Sequence, residues 1–363
     1  MNILYVAHLN TNIAAGPNWS VPARVEAQSK IDNVLLINTT NLMMEHWKTV
    51  KAFHNIEEYG ELHLDQLPAP FKKPDIVVFE GFNFMEQVKF AKELRKNGVP
   101  YIITPRGAMT YEAQHNHAWF KKLVARVLFQ NSYIKHALAI QYLTEGERSS
   151  AIRMFKTRNY VLPNGFNEPK VKKTTFSENS INATFIGRLD IHHKGIDLLL
   201  NAIKSVLPEL QKANFKLSIH GPKRYDYFKI GKFIDDLKVS SVVELKDEVG
   251  GTLKEETLLN SDLFIMTSRL EGLPMGLLEA LAYGVPCFVS QGTNMREAVD
   301  EANAGWTCDT TEESIRAGLL KLVQEKNLLP QKSKNAIELS NKYQWDKLAV
   351  RFHDEVNTLL KEK

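Results

Sequence analysis

The chain has 363 residues, of which 44% are hydrophobic and 24% charged, and its formal net charge is +4. These values indicate a globular protein long enough for two domains, and no apolar run reaches the roughly 20 residues of a membrane-spanning helix. Residues 1–165 carry 19 Lys and Arg against 14 Asp and Glu. This excess suits an anionic surface or substrate, but it is too small to predict a nucleic-acid partner.

The N-terminus and the cysteine content both bear on the compartment. Residues Met1–Ala7 enter a predicted strand directly, without the basic region and long apolar run of a signal peptide. Only two cysteines occur, Cys287 and Cys308, and each lies in an apolar run that predicts burial. Because so few cysteines fit a reducing environment, we expect a cytoplasmic protein without structural disulfides.

Short apolar runs alternate with helical patterns in the first half of the chain, which predicts a doubly wound parallel sheet. The predicted helices are Phe84–Asn97, which ends at Gly98 after two basic residues, and Ala118–Lys135. The predicted strands are Ile3–Ala7, Asn33–Ile37, Asp75–Glu80, Tyr101–Pro105, Ala137–Leu143 and Tyr160–Pro163.

A polar, turn-rich segment at 167–180 separates two such halves and predicts an interdomain linker. The domains are then 1–166 and 181–344, and the periodicity of residues 345–363 predicts a closing amphipathic helix. The second domain repeats the α/β alternation, with predicted strands Ala183–Ile186, Lys216–His220, Val242–Leu245, Leu263–Thr267, Cys287–Val289 and Gly305–Cys308.

Two glutamates eight residues apart, Glu271 and Glu279, lie in a predicted strand–loop–helix–strand unit at 262–290. The loop follows the carboxyl end of a strand, where open α/β sheets bind ligands. We expect four backbone amides to begin the helix and to point toward an anion, and Glu279 to accept hydrogen bonds from sugar or ribose hydroxyls. The four amides belong to Met275, Gly276, Leu277 and Leu278.

A second cluster begins the second domain. Gly187 ends a predicted strand, and the following loop carries Arg188 and Lys194 before a helix that begins near Gly195. Gly187 allows the backbone to approach a ligand closely. The Arg188 guanidinium can bind two phosphate oxygens at once, and Lys194 supplies a mobile point charge. The pair predicts a phosphate site, because each residue alone would more simply be an exposed cation.

These two motifs together resemble the family-4 retaining glycosyltransferases, whose fold is GT-B, with two Rossmann-like domains facing across a cleft. The likeness rests on Gly-Arg-Leu at 187–189, Lys-Gly-Ile-Asp at 194–197 and the Glu-x7-Glu string at 271–279. It implies that Arg188 and Lys194 bind the diphosphate of a nucleotide-sugar. It further implies that Glu271 contacts the sugar, that Glu279 contacts the ribose, and that the last helix returns to the first domain.

The first domain matches the family less completely. Ala15-Gly16 stands where many relatives carry Gly-Gly, and the likeness implies that Gly16 lies near the donor phosphates. Thr-Pro-Arg-Gly at 104–107 resembles the segment that relatives building bacterial surface polysaccharides often carry at this point, so we place Arg106 on the acceptor side. No catalytic histidine is assigned, because His115 and His117 fit polar loop or helix-start residues better than catalysts, although either could face the cleft. His192 and His193 are interpreted as solvated loop residues.

The resemblance implies a retaining, metal-independent hexosyltransferase that needs no cofactor, and the sequence contains no Asp-x-Asp metal motif. Its expected partners are a nucleoside-diphosphate sugar and a glycan or lipid-linked acceptor, in surface polysaccharide or lipid-linked glycan synthesis. Two alternatives stay open. One is a noncatalytic sugar-nucleotide-binding subunit of a glycosyltransferase complex, and the other is another two-Rossmann enzyme, such as an epimerase or a phosphorylase.

The segment Trp119–Lys135 combines apolar and basic residues and contains no acidic one. Such a helix can lie on an anionic membrane, which would place the protein peripherally at the inner face of the cell membrane. The commoner explanation of this pattern is a helix that packs on its own sheet and leaves a basic edge in solvent.

Overall fold

The structure is a computed structural model, and it describes residues 1–12, 15–114, 130–151 and 156–362. The chain divides into two compact units. Unit 1 comprises Met1–Phe166 together with Gln344–Lys363, and unit 2 comprises Asn167–Tyr343. In the described residues, no helix is both long and apolar enough to cross a membrane.

Unit 1 is built on a sheet whose described strands all pair in parallel, in the order β3-β2-β1-β4-β5-β6-β7. The central strands are buried on both faces, as the continuous apolar runs of their sequences require. The strands are β1 Asn2–Ala7, β2 Asn33–Asn38, β3 Phe53–Asn55, β4 Ile76–Glu80, β5 Tyr101–Thr104, β6 Ala139–Tyr142 and β7 Asn159–Val161.

Helices cover this sheet, and the last helix of the chain is one of them. Phe352 on α14 packs 6.3 Å from the ring of Tyr5 on β1, and the Arg24 guanidinium lies over the Phe352 ring at 4.5 Å. The apolar face of α14 therefore belongs to the core of unit 1. The described helices of this unit are α1 Pro17–Gln28, α2 Met85–Lys96, α3 Tyr111–Gln114, α4 Asn131–Lys135, α5 Glu145–Ser150 and α14 Trp345–Lys361.

Unit 2 repeats the architecture with a six-stranded parallel sheet in the order β10-β9-β8-β11-β12-β13. Its strands are β8 Ile181–Ile186, β9 Phe215–His220, β10 Val243–Lys246, β11 Leu263–Met266, β12 Cys287–Ser290 and β13 Gly305–Cys308. Its helices are α6 Ile196–Ser205, α7 Leu207–Lys212, α8 Tyr227–Leu237, α9 Gly251–Leu259, α10 Met275–Ala282, α11 Arg296–Glu301, α12 Glu312–Gln324 and α13 Leu329–Ser340.

Short 3₁₀ turns complete the described secondary structure of both units. They are Glu45–Trp47, Ile56–Glu58, Leu64–Gln66, Gln291–Thr293, Lys326–Leu328 and Asn341–Tyr343.

In both sheets the strand order reverses beside the first strand of the unit. β1 pairs with both β2 and β4, and β8 pairs with both β9 and β11. Connections leave on opposite faces of the sheet at such a point, so a crevice opens at the carboxyl ends of the two central strands. The loops after β8 and β11 contain the two motifs that the sequence singles out.

The predicted α/β class with two doubly wound parallel sheets is confirmed, and each predicted strand is present within two residues of its predicted bounds. Strand β3 was not predicted. Residues 167–180, predicted as a linker, belong to unit 2, where the Lys173 ammonium lies 3.2 Å from the Asp262 carboxylate. His115, His117 and most of the predicted helix Ala118–Lys135 lie outside the described residues.

Both cysteines are buried free thiols, as predicted. Burial raises the pKa of Cys287 well above its ordinary value and that of Cys308 to about 12. Neither thiol is therefore a ready nucleophile, because the thiolate is the reactive form.

Candidate functional site

The two sequence motifs meet at the carboxyl edge of the unit 2 sheet. Lys194 Nζ, from the loop after β8, lies 2.5 Å from Glu271 Oε1, from the loop after β11. Ser268 Oγ donates to the same oxygen at 2.6 Å. The Lys194 and Glu271 side chains are only 12% and 11% exposed. A cation and an anion are thus held together in a partly desolvated position, where their electrostatic interactions are stronger than in water.

A second ion pair fastens the two loops to each other. Arg269 donates from Nη1 and Nη2 to the two carboxylate oxygens of Asp197, at 2.7 and 2.8 Å. Its Nη1 also donates to the His192 carbonyl, and its backbone amide donates to the His193 carbonyl at 2.9 Å. Arg269 is therefore bonded both to the two histidines just before Lys194 and to Asp197, three residues after it.

Glycine is required where these loops pass each other. Gly195 has φ +63°, and a Cβ built on it would lie 2.0 Å from the Thr267 carbonyl oxygen. At Gly221, a Cβ would lie 2.5 Å from the Gly187 carbonyl oxygen and 2.4 Å from a side-chain carbon of Leu189. These contacts leave no space for a side chain, so they fix the loop after β8 against both neighbouring strands.

Helix α10 begins beside the end of β8, since a Cβ on Gly276 would lie 3.3 Å from the Ile186 carbonyl oxygen. The amides of Leu277 and Leu278 both donate to the Pro274 carbonyl, at 3.0 and 3.2 Å. This corrects the expectation that four amides are available to an anion. Of these four amides, those of Met275 and Gly276 have no backbone acceptor, as is usual for the first residues of a helix.

Arg188 is held less firmly than Lys194, whereas Glu279, in the second turn of α10, is ion-paired. The Arg188 side chain is 47% exposed, and its nearest carboxylate, that of Asp190, lies 4.0 Å away. The Glu279 carboxylate contacts the ammonium group of Lys254 on α9. No sequence pattern indicated Lys254 or Asp197 as partners, because each pairing depends on loops that only the fold brings together.

His193 differs from the prediction of a fully solvated loop residue. Its side chain is intermediate in exposure, and burial lowers its pKa below 6.5, with Lys194 and Arg188 adding to that effect and Glu271 opposing it. The imidazole is therefore biased toward its neutral form beside the Lys194–Glu271 pair. His192 is exposed, as predicted.

Unit 1 has its own charged cluster where its strand order reverses. Glu80, at the end of β4, has a fully buried side chain that pairs with Arg24 at 2.9 Å and with Arg106 at 2.7 Å. Arg106 Nη1 also donates to Ser20 Oγ at 3.0 Å and to Asn164 Oδ1 at 3.3 Å. Because the Arg106 side chain is only 7% exposed, this geometry favours support of the surrounding loops over direct contact with an acceptor.

Gly16 precedes helix α1 of unit 1, and a Cβ built on it would meet no atom within 4 Å. Packing within the unit therefore does not require glycine at this position. The predicted approach of donor phosphates to Gly16 is compatible with this open space and stays a prediction.

Comparisons with known proteins agree with the fold and with the family that the motifs resemble. A family model described as "Glycosyl transferases group 1" matches residues 166–339. An uncharacterized glycosyltransferase of Methanocaldococcus jannaschii is 25% identical over 267 residues, which are 70% of this chain and 67% of that protein. Protein CapJ of Staphylococcus aureus is 23% identical over 316 residues, 83% of this chain and 78% of that protein.

A solved structure of HepE from Anabaena in complex with UDP superposes with a TM-score of 0.74 and 15% identity, covering 99% of this chain and all of that one. At this identity the likeness concerns the fold alone. The matched family model assigns residues 166–339 to the group 1 glycosyltransferases, which transfer a sugar from a nucleotide-sugar, and the solved structure shows that the whole chain has a fold of the GT-B kind.

Proposed function

We propose that this chain is a retaining hexosyltransferase that moves a sugar from a nucleoside-diphosphate sugar to a hydroxyl acceptor, in surface polysaccharide or lipid-linked glycan synthesis. The observation that carries the proposal is the contact of Lys194 with Glu271, 2.5 Å apart at the carboxyl edge of the unit 2 sheet. It brings a phosphate-binding cation and a hydroxyl-binding carboxylate to one place. A nucleotide-sugar requires both groups, since its diphosphate is joined directly to its sugar.

The donor's diphosphate is assigned to the cations and the helix terminus. Arg188 and Lys194 bind its oxygens, and the amides of Met275 and Gly276 add two donors at the positive end of α10. Negative charge grows on this group as it leaves the sugar. Preorganised cations and amides stabilise that charge without having to reorganise during the reaction.

The two glutamates are assigned to hydroxyl groups. Glu271 Oε1 is occupied by Lys194 and Ser268, and Oε2 of the same carboxylate is assigned to the sugar hydroxyls. Glu279, half-exposed beside Lys254, is assigned to the ribose. Gly187 lets the backbone approach the phosphates.

The proposed reaction retains the configuration of the anomeric carbon. The bond from this carbon to the diphosphate oxygen breaks, and the acceptor oxygen attacks on the face from which the diphosphate leaves. The acceptor's proton passes to a phosphate oxygen of the leaving nucleoside diphosphate, so no protein base is needed. The cations of the site take the role that a metal ion has in other transferases, and we propose that the reaction needs neither a metal nor a cofactor.

The acceptor is assigned to unit 1, whose strand order reverses beside Glu80 and Gly81. Arg106 is proposed to act there by holding the loops around the acceptor through Glu80, Ser20 and Asn164. The excess of basic residues in the first half of the sequence suits a lipid-linked acceptor at the inner face of an anionic membrane, in a cytoplasmic, peripheral protein.

Thermal stabilisation by nucleotides tests the donor site directly. A ligand that binds only the folded protein raises its melting temperature. In a panel of UDP, GDP, ADP, CMP and NAD, we expect one of the three nucleoside diphosphates to stabilise the wild type, and Lys194→Ala to reduce this shift. The matched control is Lys212→Ala, which removes an exposed lysine elsewhere in unit 2. No shift with any nucleotide, in folded wild-type protein, would contradict the proposal.

Turnover separates the enzyme from its alternatives. Incubation of the selected nucleotide-sugar with a panel of glycan and lipid-linked acceptors is expected to give a glycoside whose anomeric configuration, read by NMR, equals that of the donor. Nucleotide binding without turnover on any acceptor would favour a noncatalytic subunit. Turnover without an acceptor, or only with phosphate, would favour an epimerase or a phosphorylase.

A further inference from the structure

Two arginines of unit 2 share one aromatic ring beside the proposed donor site. The guanidinium carbon of Arg188 lies 5.7 Å from the centroid of the Tyr225 ring, and that of Arg224 lies 5.4 Å from the same centroid. Both distances are within the roughly 6 Å over which a ring face attracts a cation. Arg188 has no closer support, because its nearest carboxylate is 4.0 Å away.

The backbone holds Tyr225 in this position. The amide of Asp226 donates to the Leu189 carbonyl at 3.0 Å, and the Asp226 carboxylate accepts from the Ile191 amide at 3.0 Å. On the other side of the turn, Gly221 packs without space for a Cβ against the residues next to Arg188. The turn after β9 is therefore held against the Arg188 loop by two hydrogen bonds to residues that follow Arg188, and by close packing of Gly221 on Gly187 and Leu189.

Neither burial nor backbone preference explains a tyrosine here. The side chain is 54% exposed, so it contributes little to the core. Its φ is +56°, in the left-handed region that costs a bulky residue about 1 kcal/mol or more. An exposed aromatic residue kept in an unfavourable conformation points to a functional constraint rather than a structural one.

The charges around the ring favour an anion. Unit 2 is described completely, and within it no carboxylate lies within 4.0 Å of Arg224, whereas Lys223 is paired with Asp247 at 2.9 Å. Arg188 and Arg224 share this ring, and in unit 2 the one carboxylate within 4.0 Å of either guanidinium is that of Asp190, at 4.0 Å from Arg188. A doubly charged group near both would balance their positive charges and form charge-assisted hydrogen bonds with two planar guanidinium groups.

We propose that Tyr225 is a positioning residue of the donor site and that Arg224 is a second guanidinium for the donor's diphosphate. The inference rests on the proposed function and deepens it. The Tyr225 ring holds Arg188 and Arg224 over one edge of the sheet, and the diphosphate binds with its oxygens toward both. Lys194 contacts the same group from the Glu271 side, so the site has three cations rather than two.

Calorimetric binding of UDP, or of GDP or ADP where the thermal panel selects one of these, tests the role of Arg224. We expect Arg224→Ala to weaken binding about tenfold, the value of one charge-assisted contact in a partly exposed site, and to lessen its dependence on salt. Binding of the corresponding nucleoside, which has no phosphate, should not change. Arg316→Ala, which removes an exposed arginine from α12 of the same unit, is the matched control.

The role of the ring is tested by two substitutions at Tyr225. Phe keeps the aromatic face, so Tyr225→Phe is expected to bind like the wild type. Asn tolerates the left-handed backbone but has no ring, so Tyr225→Asn is expected to lose affinity. In a protein that already carries Arg188→Ala, Tyr225→Asn should weaken diphosphate binding by a smaller factor than it does in the wild type. The reason is that the Arg188 guanidinium, which the Tyr225 ring positions, is already absent.

The outcomes separate this inference from the proposed function. If the wild type binds a nucleoside diphosphate and both Arg224→Ala and Tyr225→Asn bind equally well, the inference is wrong and the proposed function stands. If Tyr225→Phe is as weak as Tyr225→Asn, the ring does not act through its face. If the wild type binds none of the diphosphates, both fail together. Should Tyr225→Asn not fold, Arg224→Gln and Arg224→Lys provide the test.

Discussion

Arg269 binds Asp197 through two parallel hydrogen bonds, of 2.7 and 2.8 Å, and so joins the loop of Glu271 to the first turn of helix α6. Lys194 lies three residues before Asp197, and Glu271 lies two residues after Arg269. The short contact between Lys194 and Glu271 therefore depends on an ion pair that is itself outside the proposed contacts with substrate. Its bidentate geometry fixes orientation as well as distance.

We first predict that Arg269→Lys lowers kcat/KM while the protein stays folded. A lysine cannot form two parallel bonds to a carboxylate, so the two loops lose their fixed orientation. A loss of about tenfold is expected from one orienting interaction. In a double-mutant cycle with Asp197→Asn, the coupling in stability should be only about 0.5–1 kcal/mol, because both side chains are partly exposed.

The control for this prediction is Arg296→Lys. Arg296 is also ion-paired in unit 2, with Asp309 at 2.5 Å, but through one contact and with a carboxylate that belongs to neither motif loop. Equal kcat/KM in Arg269→Lys and the wild type would show that the Arg269–Asp197 pair does not orient the site.

The second prediction separates charge from shape at Glu271. Glu271→Gln keeps an oxygen that can accept from Lys194 and Ser268, but it removes the negative charge. We expect kcat to fall by about 10²-fold, as for loss of one transition-state contact, while the affinity for the nucleoside diphosphate is unchanged or higher because Lys194 is released from an anion. Binding by calorimetry and turnover of the nucleotide-sugar measure the two effects separately.

Glu279→Gln provides the comparison, because its proposed contact is with the ribose. It should raise the dissociation constant of the nucleotide more than it lowers kcat. The assigned roles would be contradicted if Glu279→Gln mainly lowered kcat and Glu271→Gln mainly raised the dissociation constant of the nucleotide.

The sequence predicted the strands well because each is a short apolar run bounded by turn residues. Strand β3 was missed for a physical reason, since Phe53–Asn55 is only three residues long and has His54 at its centre. No local pattern marks it as a strand. It forms because Phe53 pairs in parallel with Leu36 on β2, a contact that only the tertiary fold provides.

The proposed site could be predicted only as far as its motifs extend. Lys194, Asp197 and Glu271 come from recognisable strings, whereas Lys254 and Tyr225 enter through contacts between segments that are distant in sequence. The contact of Arg106 with Glu80 could be predicted only from the pairing of strands β4 and β5. Glu80 and Thr104 are direct partners on β4 and β5, so a pairing between Glu80 and Arg106 follows once that register is known.

The third prediction concerns the closest backbone approach in the site. Gly195→Ala should destabilise unit 2, because it forces a side chain into the left-handed region and into the Thr267 carbonyl. The matched control is Gly251→Ala, in the same unit at φ +53°, where a Cβ would meet no atom within 4 Å. Gly251→Ala should lower the free energy of unfolding by about 1 kcal/mol through backbone strain alone, and Gly195→Ala should lower it clearly more. Equal urea midpoints for the two variants would contradict the observed clash.

The last prediction is a pH dependence that arises from His220 at the end of β9. Burial lowers its pKa from the ordinary value of 6.5, and Lys246 adds to this effect, although the hydrogen bond with the Asp247 carbonyl opposes it. As the pH falls below 6.5, the unfolded chain takes up a proton that the folded chain does not. The free energy of unfolding must then decrease, and the loss continues until the pH reaches the lower, folded-state pKa.

Urea unfolding followed by circular dichroism at several pH values measures this loss. His220→Gln replaces the imidazole by an amide that can still donate to Asp247 but does not titrate, so it should flatten the decrease below pH 6.5. The corresponding change at the exposed His192, His192→Gln, controls for the loss of a histidine as such. If the free energy of unfolding falls more steeply with decreasing pH in His220→Gln than in the wild type, His220 is charged in the folded protein. That result would contradict the prediction, which rests on the burial of His220, a residue only 7% exposed.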